Sequence, residues 1–146
     1  MAIKAIIIDD ERLARNELKK LLLDHSDIEV LDEASNVDEG IEKIEQHNPD
    51  LIFLDIQMPG KTGFDLLAEV ERAPKVIFTT AFDQYAIKAF ELSAVDYLMK
   101  PFDAKELQVR IKNLIEQRKK LREYFKKAEI ISFQSEKVSS VDKMFL

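Results

Sequence analysis

The chain has 146 residues, of which 46% are apolar and 34% charged, and its formal net charge is −6. This length suits one soluble domain with a modest extension, and the acidic balance argues against a nucleic-acid binder. With no cysteine and only two histidines, disulfides and thiolate or all-histidine metal sites are excluded, which leaves hard cations on oxygen ligands. No apolar run approaches the roughly 20 residues of a membrane span, and the start lacks a signal-peptide pattern, so we expect a cytoplasmic protein with no membrane contact.

Strands and helices alternate along the chain. Apolar, β-branched runs predict strands at residues 3–8, 28–34, 51–54, 75–80 and 95–99. Helical spacing of apolar residues predicts helices at residues 13–23, 37–47, 62–72 and 84–92, and a last helix after Asp103. Short connections between alternating elements favour right-handed crossovers. The sequence therefore predicts an α/β fold with a parallel sheet covered on both faces by helices.

The third predicted strand is the most apolar one. Its four residues, LIFL, are too few for a helix and suit a strand that is buried on both faces of a sheet. The run stops at Asp55, and Pro59 with Gly60 then turns the chain. A carboxylate at the carboxyl end of a central strand lies where ligands bind in open α/β sheets, although it could also simply end the strand in solvent.

Capping residues mark two helix starts. Asn36 precedes the second helix, and Asp103 with Glu106 forms a capping-box pattern before the last helix. The last helix is basic, and its apolar seam has Arg118 at one position. It either packs on the sheet and continues as a solvated linker, or it pairs with a second copy or leads to another domain. Residues 132–140 are polar and predict a linker, and residues 141–146 resemble the start of a strand.

Four strands end in residues with useful chemistry. They are Asp9 and Asp10 on the first strand, Asp55 on the third, Thr80 on the fourth and Lys100 on the fifth. In a parallel sheet these ends share one edge, so the groups can converge on one pocket. Three carboxylates repel one another unless a cation intervenes, and oxygen ligands suit Mg²⁺. With a lysine and a hydroxyl beside them, the set suits a carboxylate nucleophile that receives a phosphoryl group.

These motifs resemble the receiver domain of bacterial two-component response regulators. The matching segments are IIIDDE (residues 6–11), LIFLDIQMPGKTG (51–63), FTTAF (78–82) and DYLMKPF (96–102), in the order of that family. The resemblance implies a flavodoxin-like (βα)5 three-layer sandwich, with a five-stranded parallel sheet of order 2-1-3-4-5 and an extended last helix. It covers residues 3 to about 117, most of the chain.

The resemblance also assigns roles to single residues. Asp55 would be the phosphoacceptor, and Lys100 and Thr80 would contact the phosphoryl oxygens. Asp10 and Asp55 would ligate Mg²⁺ (or Mn²⁺) directly, Gln57 through its backbone carbonyl and Asp9 through water. The Lys100–Pro101 peptide bond would be cis. Tyr97 would be an aromatic switch that turns inward as Thr80 moves toward the phosphate, unless it is an ordinary half-buried tyrosine on an edge strand.

The resemblance also implies partners for the chain. A sensor histidine kinase would donate the phosphoryl group, so the domain would be a phosphoacceptor and not an enzyme beyond its own phosphorylation and slow dephosphorylation. The surface of the short helix at 84–92, the fifth strand and the last helix would then control formation of a homodimer. Side chains that could pair across subunits there are Lys88, Asp96, Lys105 and Arg110.

A subfamily is suggested by residues 80–102, which are similar to receivers joined to LytTR-type (LytR/AlgR-like) DNA-binding domains. We therefore expect a receiver domain at 1–122, a helix end and linker at 123–140, and the start of a LytTR-type domain at 141–146. DNA contact would lie only in that further domain, and the natural protein would be a transcriptional regulator.

Three other functions compete with this interpretation. The GKT at Gly60–Thr62 resembles part of a phosphate-binding P-loop, but Asp55 stands where that loop needs glycine, and Pro59 has no N–H. A haloacid-dehalogenase-type phosphatase needs a second aspartate where Gln57 stands. The third alternative is a receiver-like protein-interaction module that is never phosphorylated, although such a module would be expected to lack some of the site residues.

Overall fold

The structure of the protein is a computed structural model that describes residues 2–81 and 96–144, with side chains described up to Ile131. The helix predicted at 84–92, together with Lys88, lies outside the described residues. The chain has two compact units, Met1–Arg110 and Ile111–Leu146. Within the described residues, no helix has the length and apolar character that crossing a membrane requires.

Five parallel strands form one sheet, as the sequence predicts. In chain order they are β1 (Ile3–Ile8), β2 (Ile28–Ala34), β3 (Leu51–Asp55), β4 (Lys75–Thr80) and β5 (Asp96–Met99). Their order across the sheet is β2-β1-β3-β4-β5. This order confirms the predicted fold class and leaves β2 and β5 as the edge strands. The register aligns Asp55 at the end of β3 with Thr79 of β4.

The described residues include four helices. They are α1 (Arg12–Leu22), α2 (Val37–His47), α3 (Gly63–Glu69) and α4 (Ala104–Met144). The core residues of β1 and β3 are buried on both faces; for example, adjacent Phe53 and Leu54 are both fully buried although their side chains alternate between faces. The apolar run of β3 therefore lies in the centre of the sheet, where it positions Asp55.

Local hydrogen bonds explain where the helices begin. The Asn36 side chain accepts from the Glu39 N–H at 2.8 Å, as predicted for α2. At α4, Asp103 accepts from the Glu106 N–H at 3.0 Å, but the Glu106 carboxylate lies 3.5 Å from the Met99 nitrogen, so only half of the predicted capping box is described.

A full capping box is present instead at α3, where the sequence analysis did not predict one. The Thr62 hydroxyl accepts from the Asp65 N–H at 3.2 Å, and the Asp65 carboxylate accepts from the Thr62 N–H at 2.8 Å. Because this box satisfies two N–H groups that have no partner within the helix, it fixes the start of α3 close behind Asp55.

Two helix ends differ from the sequence prediction. The sequence predicts the third helix over 62–72, but α3 ends at Glu69. Val70 adopts an extended backbone (φ −91°, ψ 133°) and so cannot continue the helix. Pro74 further disfavours a helical conformation in the residue before it. The last helix continues through Met144, so residues 132–140 are helical and not irregular, and residues 141–144 do not begin a strand as the sequence predicted. No glycine or proline follows Pro101, so nothing in this stretch interrupts a helix.

The second unit is described by itself. Of the predicted apolar seam of the last helix, Ile111 and Leu114 are buried, whereas Leu121 and Phe125 are exposed. The rings of Tyr124 and Phe125 lie in an edge-to-face arrangement with centroids 5.7 Å apart. The assignment of residues 123–146 to a linker and the start of a further domain stays a prediction.

Gly63 allows α3 to begin against the backbone of β3. A Cβ atom built on Gly63 would lie 2.5 Å from the carbonyl oxygen of Asp55. We expect Gly63→Ala to lower the free energy of unfolding by about 3 kcal/mol, because backbone cannot give way as the tip of a side chain can. Gly60→Ala is the matched control, since Gly60 has a positive φ of 84° and open space around it, and we expect backbone strain of about 1 kcal/mol there. Equal losses for the two variants in urea unfolding would contradict this account.

Candidate functional site

The carboxyl edge of the sheet collects the residues that the sequence analysis selected. Carboxylate oxygens of Asp9, Asp10 and Asp55 lie within 4.8 Å of one another. The Lys100 ammonium lies 2.8 Å from Asp9 Oδ2 and 3.5 Å from Asp55 Oδ2. Asp9 and Asp55 are almost fully buried, at 2% and 3% exposure, and Thr80 is buried at 2%. One charged cluster therefore forms at the ends of β1, β3 and β5.

Backbone contacts fix three members of this cluster, Asp9, Asp55 and Lys100. Asp9 Oδ1 accepts from the Glu11 N–H at 2.9 Å, and Asp55 Oδ1 accepts from the Gln57 N–H at 3.3 Å. The Lys100 N–H donates to the Thr80 carbonyl at 2.7 Å, which joins the ends of β5 and β4. The Lys100–Pro101 peptide bond is cis, as predicted. Hydrogen bonds in the turns after β1 and β3, and between the ends of β4 and β5, therefore position the charged groups.

Two further side chains support the cluster, and the sequence analysis missed them. Glu11 lies 3.6 Å from the Lys100 ammonium, and Arg15 donates to the Asp9 carbonyl oxygen at 2.8 Å. Glu11 follows the two aspartates directly in the chain, and Arg15 stands four residues later on the same face of α1. Its position next to the two aspartates could have indicated Glu11, whereas the contact of Arg15 with a backbone carbonyl has no signal in the sequence.

Thr80 and Tyr97 lie on the same face of the sheet. In the β4–β5 register Phe78 pairs with Tyr97, and Thr80 pairs with Met99. Because side chains alternate along a strand, Thr80, Phe78, Tyr97 and Met99 all point to one side, and Thr80 and Tyr97 are diagonal neighbours. Tyr97 is half-buried against the core, and its switch role stays a prediction.

Burial and the negative charge of Asp9 raise the pKa of Asp55 to about 8, and the Lys100 charge only partly opposes this rise. Burial alone would lower the pKa of Lys100, but its hydrogen bond to Asp9 and the charge of Asp55 outweigh burial and raise that pKa. At neutral pH the lysine is therefore cationic, while Asp55 retains a proton unless more positive charge is nearby.

The cluster has the chemistry of a site for a divalent cation. Lys100 cannot balance the charge of three ionised aspartates, and a second source of positive charge would ionise Asp55. An oxygen-only donor set, partly open at Asp10, suits Mg²⁺ or Mn²⁺. Asp9, Asp10 and Asp55 are thus the residues that fit such an ion. The expected contribution of the Gln57 backbone carbonyl stays a prediction.

Comparisons with known proteins agree with this geometry. Residues 5–112 match the family described as the response regulator receiver domain. A response regulatory protein of Vibrio cholerae is 50% identical over 120 residues, which cover 81% of this chain and 51% of that protein. The transcriptional regulatory protein BtsR of Escherichia coli is 47% identical, with 81% and 50% covered. The sensory transduction protein LytT of Bacillus cereus is 40% identical, with 80% and 48% covered.

Solved structures show the same likeness. The receiver domain of AraT, a response regulator from Geobacillus stearothermophilus, superposes with a TM-score of 0.72 at 30% identity and covers 83% of this chain and 99% of that one. The chain spans about half the length of the regulatory proteins that it matches in sequence.

The raised pKa of Asp55 predicts how stability depends on pH without divalent cations. Between about pH 4 and pH 8 the folded chain keeps a proton on Asp55 that the unfolded chain, with its ordinary pKa of 3.8, has released. The folded chain is stabilised because it binds the Asp55 proton more tightly than the unfolded chain does. This stabilisation is fully present below about pH 4 and is lost as the pH rises through about 8. We expect Asp55→Asn to remove that loss and to be more stable than wild type at pH 8.5 by at least about 1 kcal/mol.

Urea unfolding in EDTA at pH 5.5 and 8.5 measures this difference, and Asp24→Asn, a change at an exposed aspartate, is the matched control. If wild type and Asp55→Asn respond alike to pH, Asp55 does not carry the raised pKa.

Proposed function

The chain belongs to the response regulator receiver family, and from that membership we propose that Asp55 accepts a phosphoryl group from the phosphohistidine of a sensor histidine kinase. The observation that carries this proposal is the position of Asp55: it is buried at the carboxyl end of the central strand, 3.5 Å from Lys100 and within 4.8 Å of oxygens from Asp9 and Asp10. A nucleophile, compensating charge and a cation-binding donor set therefore meet at one point.

The transfer is a displacement at phosphorus. A carboxylate oxygen of Asp55 forms the new O–P bond as the P–N bond to the kinase imidazole breaks, and the imidazole nitrogen keeps the electron pair and takes a proton from solvent. Asp10 and Asp55 would hold Mg²⁺ or Mn²⁺ directly, Gln57 through its backbone carbonyl and Asp9 through water. When bound, the ion supplies positive charge beside the phosphoryl oxygens.

Lys100 and Thr80 serve the acyl phosphate after transfer. The Lys100 ammonium stands next to Asp55 and pairs with a phosphoryl oxygen, while the Thr80 hydroxyl donates to another. As Thr80 moves toward the phosphate, its diagonal neighbour Tyr97 turns inward and changes the surface around β5. Apart from its own phosphorylation and slow dephosphorylation, the domain performs no reaction.

The output that we propose is a change of assembly. The surface around β5 and the start of α4 would control formation of a homodimer and, through it, an attached LytTR-type DNA-binding domain. Support for transcriptional output comes from the name of one relative, the transcriptional regulatory protein BtsR, and the name of LytT, a sensory transduction protein, supports a signalling role. Because sensor kinases present their phosphohistidine in the cytoplasm, the proposed partner implies a cytoplasmic receiver. The sequence predicts that Asp96 and Arg110 could pair across subunits. Within one chain, Arg110 Nη1 already lies 3.2 Å from Asp96 Oδ1.

Labelling by acetyl phosphate tests the phosphoacceptor. We expect Mg²⁺-dependent incorporation of one phosphoryl group in wild type and in the control Asp24→Asn, and none in Asp55→Asn, since the amide of asparagine is not a nucleophile. Intact mass and circular dichroism measure labelling and folding together. A folded wild-type chain that stays unlabelled would favour a receiver-like interaction module that is never phosphorylated.

Lys100 should matter for the rate of labelling. Removing its charge leaves the phosphoryl oxygens and Asp55 without their nearest cationic side chain, so we expect Lys100→Gln to slow labelling by at least about tenfold. Lys61→Gln is the matched control, since Lys61 forms exposed ion pairs with Asp38 and Glu69 away from the cluster. Equal rates for wild type and Lys100→Gln in the same acetyl phosphate assay would remove Lys100 from the proposed mechanism.

A further inference from the structure

One side chain contacts two consecutive residues of the edge strand β5. Arg110 Nη1 lies 3.2 Å from Asp96 Oδ1, and the guanidinium carbon lies 5.5 Å from the centre of the Tyr97 ring. Successive residues of a strand point to opposite faces of the sheet. Because β5 is the last strand in the sheet order, the guanidinium can reach around its free edge and contact one residue from each face.

Carboxylates fix the position of this guanidinium. Asp96 is well buried and pairs with Nη1, and Glu106, one turn before Arg110 on α4, lies 3.7 Å from Nη2. The Arg110 Nε atom is buried and has no hydrogen-bond partner among the described residues. An unpaired buried donor is unfavourable, so the ion pairs and the ring contact must hold Arg110 in place against that cost.

The direction of the proposed switch takes Tyr97 away from this cation. Thr80 pairs with Met99, which lies two residues after Tyr97 in β5. The Arg110 guanidinium instead pairs with Asp96, the residue before Tyr97. A ring that turns toward Thr80 therefore moves toward the carboxyl edge of the sheet. That movement separates the ring from Arg110 and breaks the cation–π contact.

We propose that Arg110 is a positioning residue that holds the Tyr97 ring in the position seen in the structure, half-buried and under the guanidinium, and so opposes the turn toward Thr80 that activates the receiver. This inference rests on the proposed function, because it assumes that phosphorylation draws Tyr97 toward Thr80. The contact stabilises only one of the two ring positions, so its loss shifts the equilibrium toward the other. A cation–π contact at a partly exposed site corresponds to about a two- to fivefold change in that equilibrium.

The test uses the full chain with 3-fluorotyrosine and reads the ring by ¹⁹F NMR, with the Tyr97 signal assigned as the one lost in Tyr97→Phe. Arg110→Gln removes the cation and Arg110→Lys keeps it. Arg72→Gln, at an exposed arginine after α3, is the matched control. Each protein is measured without ligand and with Mg²⁺ and beryllofluoride, a mimic of the phosphoryl group.

We expect the ligand-free Tyr97 signal of Arg110→Gln to lie closer to the beryllofluoride-bound wild-type position, and beryllofluoride to bind it about two- to fivefold more tightly. Arg110→Lys should recover most of the wild-type behaviour, and Arg72→Gln all of it. A wild-type signal and affinity in Arg110→Gln would overturn the proposal.

Two further outcomes are decisive. If Arg110→Gln fails to fold, Asp96→Asn removes the anchor while keeping the guanidinium, and it must shift the Tyr97 signal in the same direction; an unchanged signal overturns the proposal. If wild type binds no beryllofluoride, the proposed function fails, and the inference that rests on it fails too. If wild type binds beryllofluoride but the Tyr97 signal and affinity of Arg110→Gln match those of wild type, the inference alone fails.

Discussion

The mutual repulsion of three carboxylates at one edge of the sheet is the constraint on which the functional site depends. Asp9 and Asp55 are almost fully buried, and Asp10 completes a set of oxygens within 4.8 Å. Lys100 alone does not balance this charge, and the pKa of Asp55 therefore rises to about 8. A site of this kind is unstable in its ionised form until further positive charge arrives. The same repulsion that costs stability gives the cluster the chemistry of a site for a divalent cation.

The fold brings the three carboxylates together, and it also places the Lys100 ammonium beside them, which partly offsets their repulsion. Burial of β3 on both faces fixes Asp55 at the centre of the edge, and the close approach of Gly63 fixes the backbone behind it. The Lys100 N–H bonds to the Thr80 carbonyl at 2.7 Å, so the lysine and the hydroxyl residue share one backbone link. Because Tyr97 lies on β5, which Lys100 follows directly, and on the same sheet face as Thr80, a change at Asp55 can reach the surface around β5 within a few residues.

Much of this arrangement could be predicted from the sequence, because strand ends share an edge whenever a sheet is parallel. The apolar run before Asp55 and the alternation of strands and helices predict the parallel α/β fold and the meeting of strand ends at one edge, and the resemblance adds the strand order, which the structure confirms. The roles of single residues at the site stay predictions. Contacts that depend on tertiary geometry could not be predicted in this way, such as Arg15 on the Asp9 carbonyl or Arg110 on the Tyr97 ring. Residues 132–140 are helical rather than irregular, because polar composition does not by itself end a helix and no glycine or proline interrupts this one.

Direct titration of the Asp55 carboxyl group by ¹³C NMR tests the central claim, that the acidic cluster needs a divalent cation to ionise its nucleophile. In EDTA the account predicts a pKa for Asp55 of about 8, raised by burial and by Asp9, and saturating Mg²⁺ should lower it by several pH units. The Asp55→Asn spectrum assigns the signal. A carboxyl group that titrates near 4 in EDTA and does not respond to Mg²⁺ would contradict the account.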